Sequence, residues 1–264
     1  FHVIVTLRRW LYRKGLFASF HPGVPVIVVG NLNAGGSGKT PFVIWLVEWL
    51  RAHGHCPGVI SRGYGRHDTR VRHVESDSAA SEVGDEPLLI HLKSGAPVAV
   101  GADRVDAARL LLAKNPGVDV IVSDDGLQHY RLRRNLELVL ADANTLFGNG
   151  WLLPAGPLRE PASRLSEADA LILTERNGGA SIYPASVPVF TVRHMPSGFR
   201  NLANDSHTAL LPHVSGRNTQ AVTGIARPQN FFDLLTRLGL EYQPRVFADH
   251  HPFMQGDLET DARI

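Results

Sequence analysis

Cysteine, net charge and long apolar runs are all scarce in this sequence of 264 residues. Its one cysteine, Cys56, cannot form an intrachain disulfide, and there is no cysteine cluster to hold zinc or an iron–sulfur cluster. This usage is typical of a reducing compartment. No apolar run reaches the roughly 18 residues of a membrane-spanning helix. The formal net charge of +2 is too small to indicate nucleic-acid binding.

The first residues have the spacing of an amphipathic helix over 3–14. One face of this helix carries Val3, Ile4, Leu7, Trp10 and Leu11. Arg9 and Arg13 lie opposite, and Arg8 and Lys14 add further positive charge. Such a helix can lie on a membrane surface with anionic lipids, or it can pack on its own domain. The pattern alone leaves both possibilities open.

Short apolar runs alternate with helical patterns through the next 160 residues or so. The predicted strands are 24–29, 58–61, 98–100, 118–123, 136–141 and 170–174. The predicted helices are 41–53, 87–93 and 104–114. This alternation indicates an open, mostly parallel α/β sheet. Glycine and proline then become frequent, which predicts a linker region and a domain boundary, with domains 1–182 and 183–264. Within the smaller α/β domain we expect strands over 187–192, 220–223 and 242–247 and a helix over 230–238.

The strongest local signal is VPVIVVGNLNAGGSGKT, residues 24–40. A buried strand leads into a glycine-rich loop that opens a helix, which is the context of a nucleotide phosphate loop. The first position of the usual G-x-x-x-x-G-K-[ST] pattern is Asn33 instead of Gly. The residues predicted to bind ATP phosphates are Asn33, Ala34, Gly35, Gly36, Ser37, Gly38, Lys39 and Thr40.

Two carboxylates follow the predicted strand 118–123, at Asp124 and Asp125. Carboxylates that leave a buried strand beside a phosphate loop suit a Mg²⁺–ATP complex, with the Thr40 hydroxyl as a further Mg²⁺ ligand. An ordinary Asp-Gly turn is the alternative for this pair on its own. Together these motifs indicate a P-loop nucleotide-binding enzyme that uses Mg²⁺, without separating a kinase from an NTPase switch.

Other classes of protein share single features of this sequence. A P-loop GTPase or a metal-insertion chaperone would need a guanine-reading N-K-x-D motif or Cys and His clusters, and neither is in the sequence. The triplet Asp249-His250-His251 is also found in metal-dependent phosphoesterases, but these do not use a phosphate loop. A degraded kinase that serves as a membrane scaffold would not need Lys39 and Thr40 intact.

An ordered set of motifs resembles one known family across nearly the whole chain. The blocks, in order, are GNLNAGGSGKTPFVIWLVEWL, SRGYGR, VGDEPLL, DDGLQHYRL, GNGWLLPAGPLREP, TGIARPQNFF and FADHHPF. Together they resemble the tetraacyldisaccharide 4′-kinases, the lipid A 4′-kinases of Gram-negative bacteria. Members of that family also lack the first glycine of the phosphate loop, which accounts for Asn33.

The resemblance implies a fold and a reaction. The fold is P-loop NTPase-like, a three-layer α/β/α domain with a second, smaller α/β domain. ATP would donate its γ-phosphoryl group to the 4′-hydroxyl of a tetraacylated glucosamine disaccharide 1-phosphate, and the product would be lipid IVA. The substrate's acyl chains would keep the enzyme at the cytoplasmic face of the inner membrane, held peripherally by the N-terminal helix. No protein partner is implied.

The resemblance also assigns catalytic roles. Asp85 matches the proposed catalytic base and His250 the residue that orients it across the domain cleft. Lys39 contacts the transferring phosphate, and Arg159 neutralises transferring or substrate phosphate. Each of these has a plainer alternative: Asp85 could cap a helix, His250 could lie in a polar loop, and Arg159 could pair with its neighbour at the surface.

Five further residues are second-tier predictions for substrate or phosphate contacts: Arg62, Tyr64, Gln128, His129 and Glu160. The chain begins without methionine, and it stops soon after FADHHPF, where family members continue. We therefore expect a fragment that lacks a C-terminal segment.

Overall fold

The computed structural model describes residues 2–35, 38–175, 186–201, 207–208, 219–225, 227–249 and 251–258. The chain divides into two compact units, Phe1–Val192 and Arg193–Ile264. The predicted boundary between residues 182 and 183 falls outside the described residues.

The first unit alternates strands and helices along the chain, as the sequence predicts. Its sheet also includes the strand that was expected over 187–192 in the smaller domain and is observed at Val189–Arg193. Its elements are α1 (His2–Arg13), β1 (Val26–Gly30), α2 (Lys39–Ala52), β2 (Pro57–Ser61), β3 (Arg72–Val74), α3 (Ala80–Val83), α4 (Asp85–Ser94), β4 (Val98–Val100), α5 (Arg104–Lys114), β5 (Val120–Asp124), β6 (Leu136–Asp142), a 3₁₀ helix (Ala162–Glu167), β7 (Ala170–Glu175) and β8 (Val189–Arg193).

Eight strands form one sheet in the order β3-β4-β2-β5-β1-β6-β7-β8. The six strands from β4 to β7 in this order run parallel, and β3 is antiparallel to β4. In the centre, Val29 of β1 is in register with Asp124 of β5, and Gly30 with Val139 of β6. The phosphate loop and the Asp124-Asp125 pair therefore leave neighbouring strands at the same edge, where parallel α/β sheets bind ligands.

Alternate residues of the strands belong to two separate hydrophobic cores, one on each face of the sheet. In β1, Val28 belongs to one core and Val29 to the other, because successive side chains point to opposite faces of a sheet. Ala108 and Leu111 of α5 cover the first face. Helices α2 and α4 cover the second with buried residues that include Val43, Val47, Leu50 and Ile90. This arrangement confirms the predicted three-layer α/β/α fold with a large, mostly parallel sheet.

The second unit is smaller. Its elements are β9 (Phe199–Arg200), β10 (His207–Thr208), β11 (Gln220–Thr223), α6 (Pro228–Arg237), β12 (Gln243–Val246) and α7 (Gln255–Leu258). Strands β11 and β12 are parallel and α6 connects them, packing Phe232 and Leu235 against Ala221. Strand β11 occupies the predicted residues 220–223, and α6 and β12 lie within about two residues of their predicted bounds.

Helix α1 packs on its own unit through its basic face, the face that was expected to bind lipid headgroups. Arg9 and Arg13 both donate to the carboxylate of Glu167 at the end of the 3₁₀ helix. Leu7 and Trp10 are 53% and 47% exposed. The predicted basic face therefore contacts protein, because Glu167 supplies its counter-charge, and part of the apolar face points outward. Among the described residues, no helix has the length and apolarity needed to cross a membrane.

Candidate active site

The phosphate loop connects β1 to the N-terminus of α2. Gly38 takes the left-handed conformation, with φ of 76°, and α2 begins directly after it at Lys39 and Thr40. Among the described residues, no side chain caps this helix, so its first N–H groups and its dipole are available to an anion. Gly36 and Ser37 lie outside the described residues.

The first half of the loop is held by a second segment that ends at Arg159. The Ala34 N–H donates to the Pro157 carbonyl at 2.7 Å, and the Arg159 N–H donates to the Leu32 carbonyl at 2.6 Å. The Asn33 amide donates to the Leu146 carbonyl at 2.6 Å. Asn33 thus fastens the loop to the protein body, a role that a glycine could not fill.

Lys39 lies in the mouth of the loop between an amide and a carboxylate. Its Nζ is 3.0 Å from Asn31 Oδ1 and 3.4 Å from Asp125 Oδ1. Asn31 is fully buried and also donates to the Gly35 carbonyl, so it connects the lysine to the loop backbone. Asn31 was not predicted from the sequence, although it stands in the GNLNAGG block.

Asp125 is the anion on which the cations of the site converge. Arg159 Nη1 lies 3.2 Å from its Oδ1 and 3.1 Å from its Oδ2. Burial alone would raise the pKa of Asp125, but Lys39 and Arg159 hold that pKa below its ordinary value. The buried guanidinium of Arg104 donates to the Asp125 carbonyl at 3.2 Å. The predicted residues Lys39, Asp125 and Arg159 are therefore brought together.

Asp124, the residue before Asp125, is buried, and one of its two carboxylate oxygens accepts no hydrogen bond from the described residues. Ser61 Oγ donates to its Oδ2 at 3.1 Å, while its Oδ1 is buried without a hydrogen-bond partner among the described residues. Burial, with the nearby carboxylate of Glu86, raises the pKa of Asp124 to about 6. A free carboxylate oxygen and the Thr40 hydroxyl are hard ligands of the kind Mg²⁺ prefers, so the donors fit that ion.

The protein can offer few ligands to a metal ion at this site. Within the ranges that the structure describes, no group of three or more His, Cys, Asp or Glu side chains is placed to hold a metal ion. This agrees with Mg²⁺ sites that use one or two protein ligands and complete their shell with phosphate and water. Asp125 is already paired with two cations. Asp124 is therefore the better candidate of the two predicted carboxylates for a Mg²⁺ ligand.

Gln128 and His129 lie on the loop after Asp125. The Gln128 amide donates to the Asn31 carbonyl at 3.3 Å. The Arg104 backbone N–H donates to His129 Nε2 at 3.3 Å, which requires that nitrogen to be unprotonated. Burial, reinforced by the positive charge of Arg104, lowers the pKa of His129 to about 4. Both side chains support the site's loops.

Asp85 opens helix α4, and its Oδ1 accepts from the Glu86 N–H at 3.0 Å. The N-cap position itself is occupied by Gly84, so Asp85 contacts a first-turn N–H from within the helix, and its helix-capping alternative stays open beside the catalytic one. Gly84 packs on Gly63, in the loop that carries Arg62 and the exposed Tyr64. Asp85, Arg62 and Tyr64 thus belong to one surface. His250 lies outside the described residues.

Glu160 needs a correction, because its side chain points away from the site. It is 1% exposed and accepts a hydrogen bond from Tyr130. Its carboxylate is directed to Tyr130 and Arg164, so we expect its contribution to the site to be indirect. Ser61 and Arg104 are two further site residues that the sequence did not single out. Ser61 ends β2 in the SRGYGR block, and Arg104 begins α5.

This fold and site define a class: a P-loop α/β protein with the lysine, carboxylates and helix N-terminus of a nucleotide phosphate site. A family model described as tetraacyldisaccharide-1-P 4′-kinase matches residues 1–264. The chain belongs to this family, which confirms the resemblance found in the motifs.

Named relatives agree with this membership. The tetraacyldisaccharide 4′-kinase of Thiobacillus denitrificans is 52% identical over 264 residues, which is 100% of this chain and 80% of that protein. That of Azoarcus sp. (strain BH72) is 49% identical over 261 residues, 98% of this chain and 75% of that protein. A crystal structure of LpxK from Aquifex aeolicus in complex with ATP matches with a TM-score of 0.79 at 31% identity, covering 96% of this chain and 81% of that one.

Proposed function

We propose that this protein is an ATP-dependent kinase that phosphorylates the 4′-hydroxyl of a tetraacylated glucosamine disaccharide 1-phosphate, forming lipid IVA in lipid A biosynthesis. The observation that carries this proposal is the phosphate loop with Lys39, Asp125 and Arg159 gathered at its mouth in a chain that belongs to this family. No observation favours a GTPase or a metal chaperone.

Phosphoryl transfer needs positioning and charge neutralisation more than covalent chemistry. The loop N–H groups and the α2 N-terminus would bind the β- and γ-phosphates, with Lys39 moving from Asn31 and Asp125 onto the γ-phosphate. Thr40 and Asp124 would hold the Mg²⁺ ion that neutralises the triphosphate. Arg159 would stabilise the charge on the transferring group.

Asp85 is proposed as the base that accepts the proton of the 4′-hydroxyl, with His250 orienting it. Its place at the exposed start of α4, beside the loop of Arg62 and Tyr64, leaves it open to a substrate. The test compares Asp85→Ala, His250→Ala and the double variant. If the two residues act as one unit, the double variant is scarcely slower than the slower single variant, whereas multiplied losses contradict the pairing.

The reaction itself is tested with γ-labelled ATP and the disaccharide 1-phosphate lipid. We expect label on the lipid with ATP as donor and none with GTP. A folded, full-length protein that transfers no label would contradict the proposed function. Repeating the assay after chelation of Mg²⁺ tests the metal separately, and we expect activity to return when Mg²⁺ is restored.

Helix α1 is proposed to hold the enzyme peripherally at the cytoplasmic face of the inner membrane. The exposure of Leu7 and Trp10 supports insertion into the interfacial region of a bilayer. We expect Leu7→Ser/Trp10→Ser to lose flotation with anionic vesicles. A matched control, Trp45→Ser/Leu92→Ser, removes residues of similar exposure from α2 and α4. Equal flotation of the two double variants would contradict this role for α1.

A further inference from the structure

A cluster of buried, charged side chains lies directly behind Arg159. Its centre is Glu160, which is 1% exposed, and Arg164, which is 3% exposed. The Tyr130 hydroxyl donates to Glu160 Oε1, and Arg164 Nε lies 3.7 Å from Glu160 Oε2. Charges buried to this degree are unfavourable unless they are paired, so Glu160 depends on Tyr130 and Arg164 for its place.

The position of Glu160 bears directly on Arg159. Segment 157–159 is hydrogen-bonded to residues 32–34 at the phosphate loop, and neighbouring side chains on such an extended segment point to opposite sides. Arg159 accordingly reaches forward to Asp125, while Glu160 reaches back to Tyr130. Fixing the Glu160 carboxylate therefore restricts the backbone that presents Arg159.

The same cluster holds the loop on which Asp125 lies. Arg164 also pairs with Glu137, whose Oε1 accepts from Arg134 Nη1 at 2.9 Å. Arg134 in turn donates to the Leu127 carbonyl at 2.9 Å and the His129 carbonyl at 2.6 Å. Both members of the Arg159–Asp125 pair are thus anchored, a few residues along the chain, to one buried cluster.

We propose that Tyr130 is a positioning residue for phosphoryl transfer: through its hydrogen bond to Glu160 it holds Arg159 in place against Asp125 and the transferring phosphate. The inference rests on the proposed role of Arg159. The Tyr130 hydroxyl is hydrogen-bonded to Glu160, so Tyr130 acts through Glu160 and is a positioning residue, not a catalytic one. Arg164 supports the same carboxylate from its other oxygen.

The first test is Tyr130→Phe in the full-length protein, which removes the hydroxyl and keeps the ring. A misplaced catalytic group slows chemistry more than it weakens binding, so we expect kcat to fall about 10-fold while KM for ATP changes less than about twofold. The matched control is Tyr242→Phe, which removes a hydroxyl that donates to the Phe232 carbonyl at 3.0 Å in the second unit. Its kcat should stay within about twofold of wild type.

A double-mutant cycle with Arg159→Ala separates positioning from general support of the fold. If Tyr130 acts through Arg159, adding Tyr130→Phe to Arg159→Ala lowers kcat by less than about twofold. The same 10-fold loss in both backgrounds, or an unchanged kcat for folded Tyr130→Phe, would overturn the inference. An Arg159→Ala variant as active as wild type would instead refute the proposed role of Arg159.

Arg164→Lys is a second variant that tests whether the buried cluster positions Arg159. It keeps the positive charge beside Glu160 but alters the guanidinium geometry. Thermal unfolding is measured for every variant, and if Tyr130→Phe is not folded at the assay temperature, Arg164→Lys takes its place in the cycle with Arg159→Ala. Non-additive losses support the cluster as the positioning element, and multiplied losses overturn it.

Discussion

Arg159 and Asp125 face each other at the mouth of the phosphate loop, with Nη1 3.1 Å from Oδ2 and 3.2 Å from Oδ1. Lys39 Nζ lies 3.4 Å from Oδ1 of the same carboxylate. The carboxylate of Asp125 is therefore paired with two cationic side chains, those of Arg159 and Lys39. When phosphate enters, both cations can turn to it, and Asp125 keeps them in range.

Asp125→Asn should leave these two cations without their anion. We expect phosphoryl transfer to fall by about 10²-fold, because the cations lose the pre-organised positions on which electrostatic stabilisation depends. Steady-state kinetics with the lipid substrate measures the effect. Asp119→Asn, just before β5, is the matched control, since its side chain is 46% exposed. Similar rates for both variants would show that Asp125 does not organise the site.

Lys39→Met should abolish most of the activity, by about 10³-fold or more, because the ammonium group in the mouth of the loop is lost and the charge on the γ-phosphate is less well compensated. Lys93→Met, at the exposed end of α4, removes a lysine charge without touching the site. Single-turnover transfer from labelled ATP compares the two. Comparable transfer by both variants would exclude Lys39 from the chemistry.

Gly30, the last residue of β1, should not tolerate a side chain. An added Cβ would lie 2.7 Å from Cβ of the buried Leu127. We expect Gly30→Ala to lower the free energy of unfolding by about 1–3 kcal/mol through overpacking. Gly117→Ala is the control, since an added Cβ there meets no atom within 4 Å. Urea unfolding measures both, and an equally small loss in each would contradict the close contact.

His129 should make stability fall in acid. Its pKa is about 4 in the folded protein against an ordinary value of 6.5, so between these values the unfolded chain binds a proton that the folded protein does not. The stability that depends on neutral His129 is present above the ordinary pKa and is lost as pH falls toward about 4. We expect the stability difference between wild type and His129→Gln to shrink by an amount of order 1 kcal/mol over that window.

Urea unfolding at several pH values across that window measures the difference directly. His55→Gln serves as the control for removing an imidazole, because His55 is 53% exposed. A wild-type minus His129→Gln difference that does not change with pH would contradict the account of His129 as a residue held neutral by burial.

The sheet and the phosphate loop were predictable because they rest on local patterns. Helix α5 and strand β4 occupy the predicted residues 104–114 and 98–100, where apolar periodicity and caps agree. Short elements escaped prediction: β3 has three residues and α3 has four, too few to carry a period. They depend on tertiary contacts.

The site was predictable as far as its motifs extend. The structure brings the predicted residues Lys39, Asp125 and Arg159 together, although Arg159 is 34 residues from Asp125 and their pairing was not predicted. Asn31 and Ser61 were missed because their roles are hydrogen bonds to Lys39 and Asp124 across the sheet edge, which no spacing reveals. Glu160 and Arg9 were placed in the wrong surroundings, because the sequence does not show that Tyr130 and Glu167 face them.

The most direct test of the proposed function is the position of the transferred phosphate. Full-length protein is given γ-labelled ATP and either the tetraacyl disaccharide 1-phosphate or an analogue that lacks its 4′-hydroxyl. The account predicts label on the first lipid and none on the analogue, with Lys39→Met inactive on both. Label on the analogue, or none on either lipid with folded wild-type protein, would contradict it.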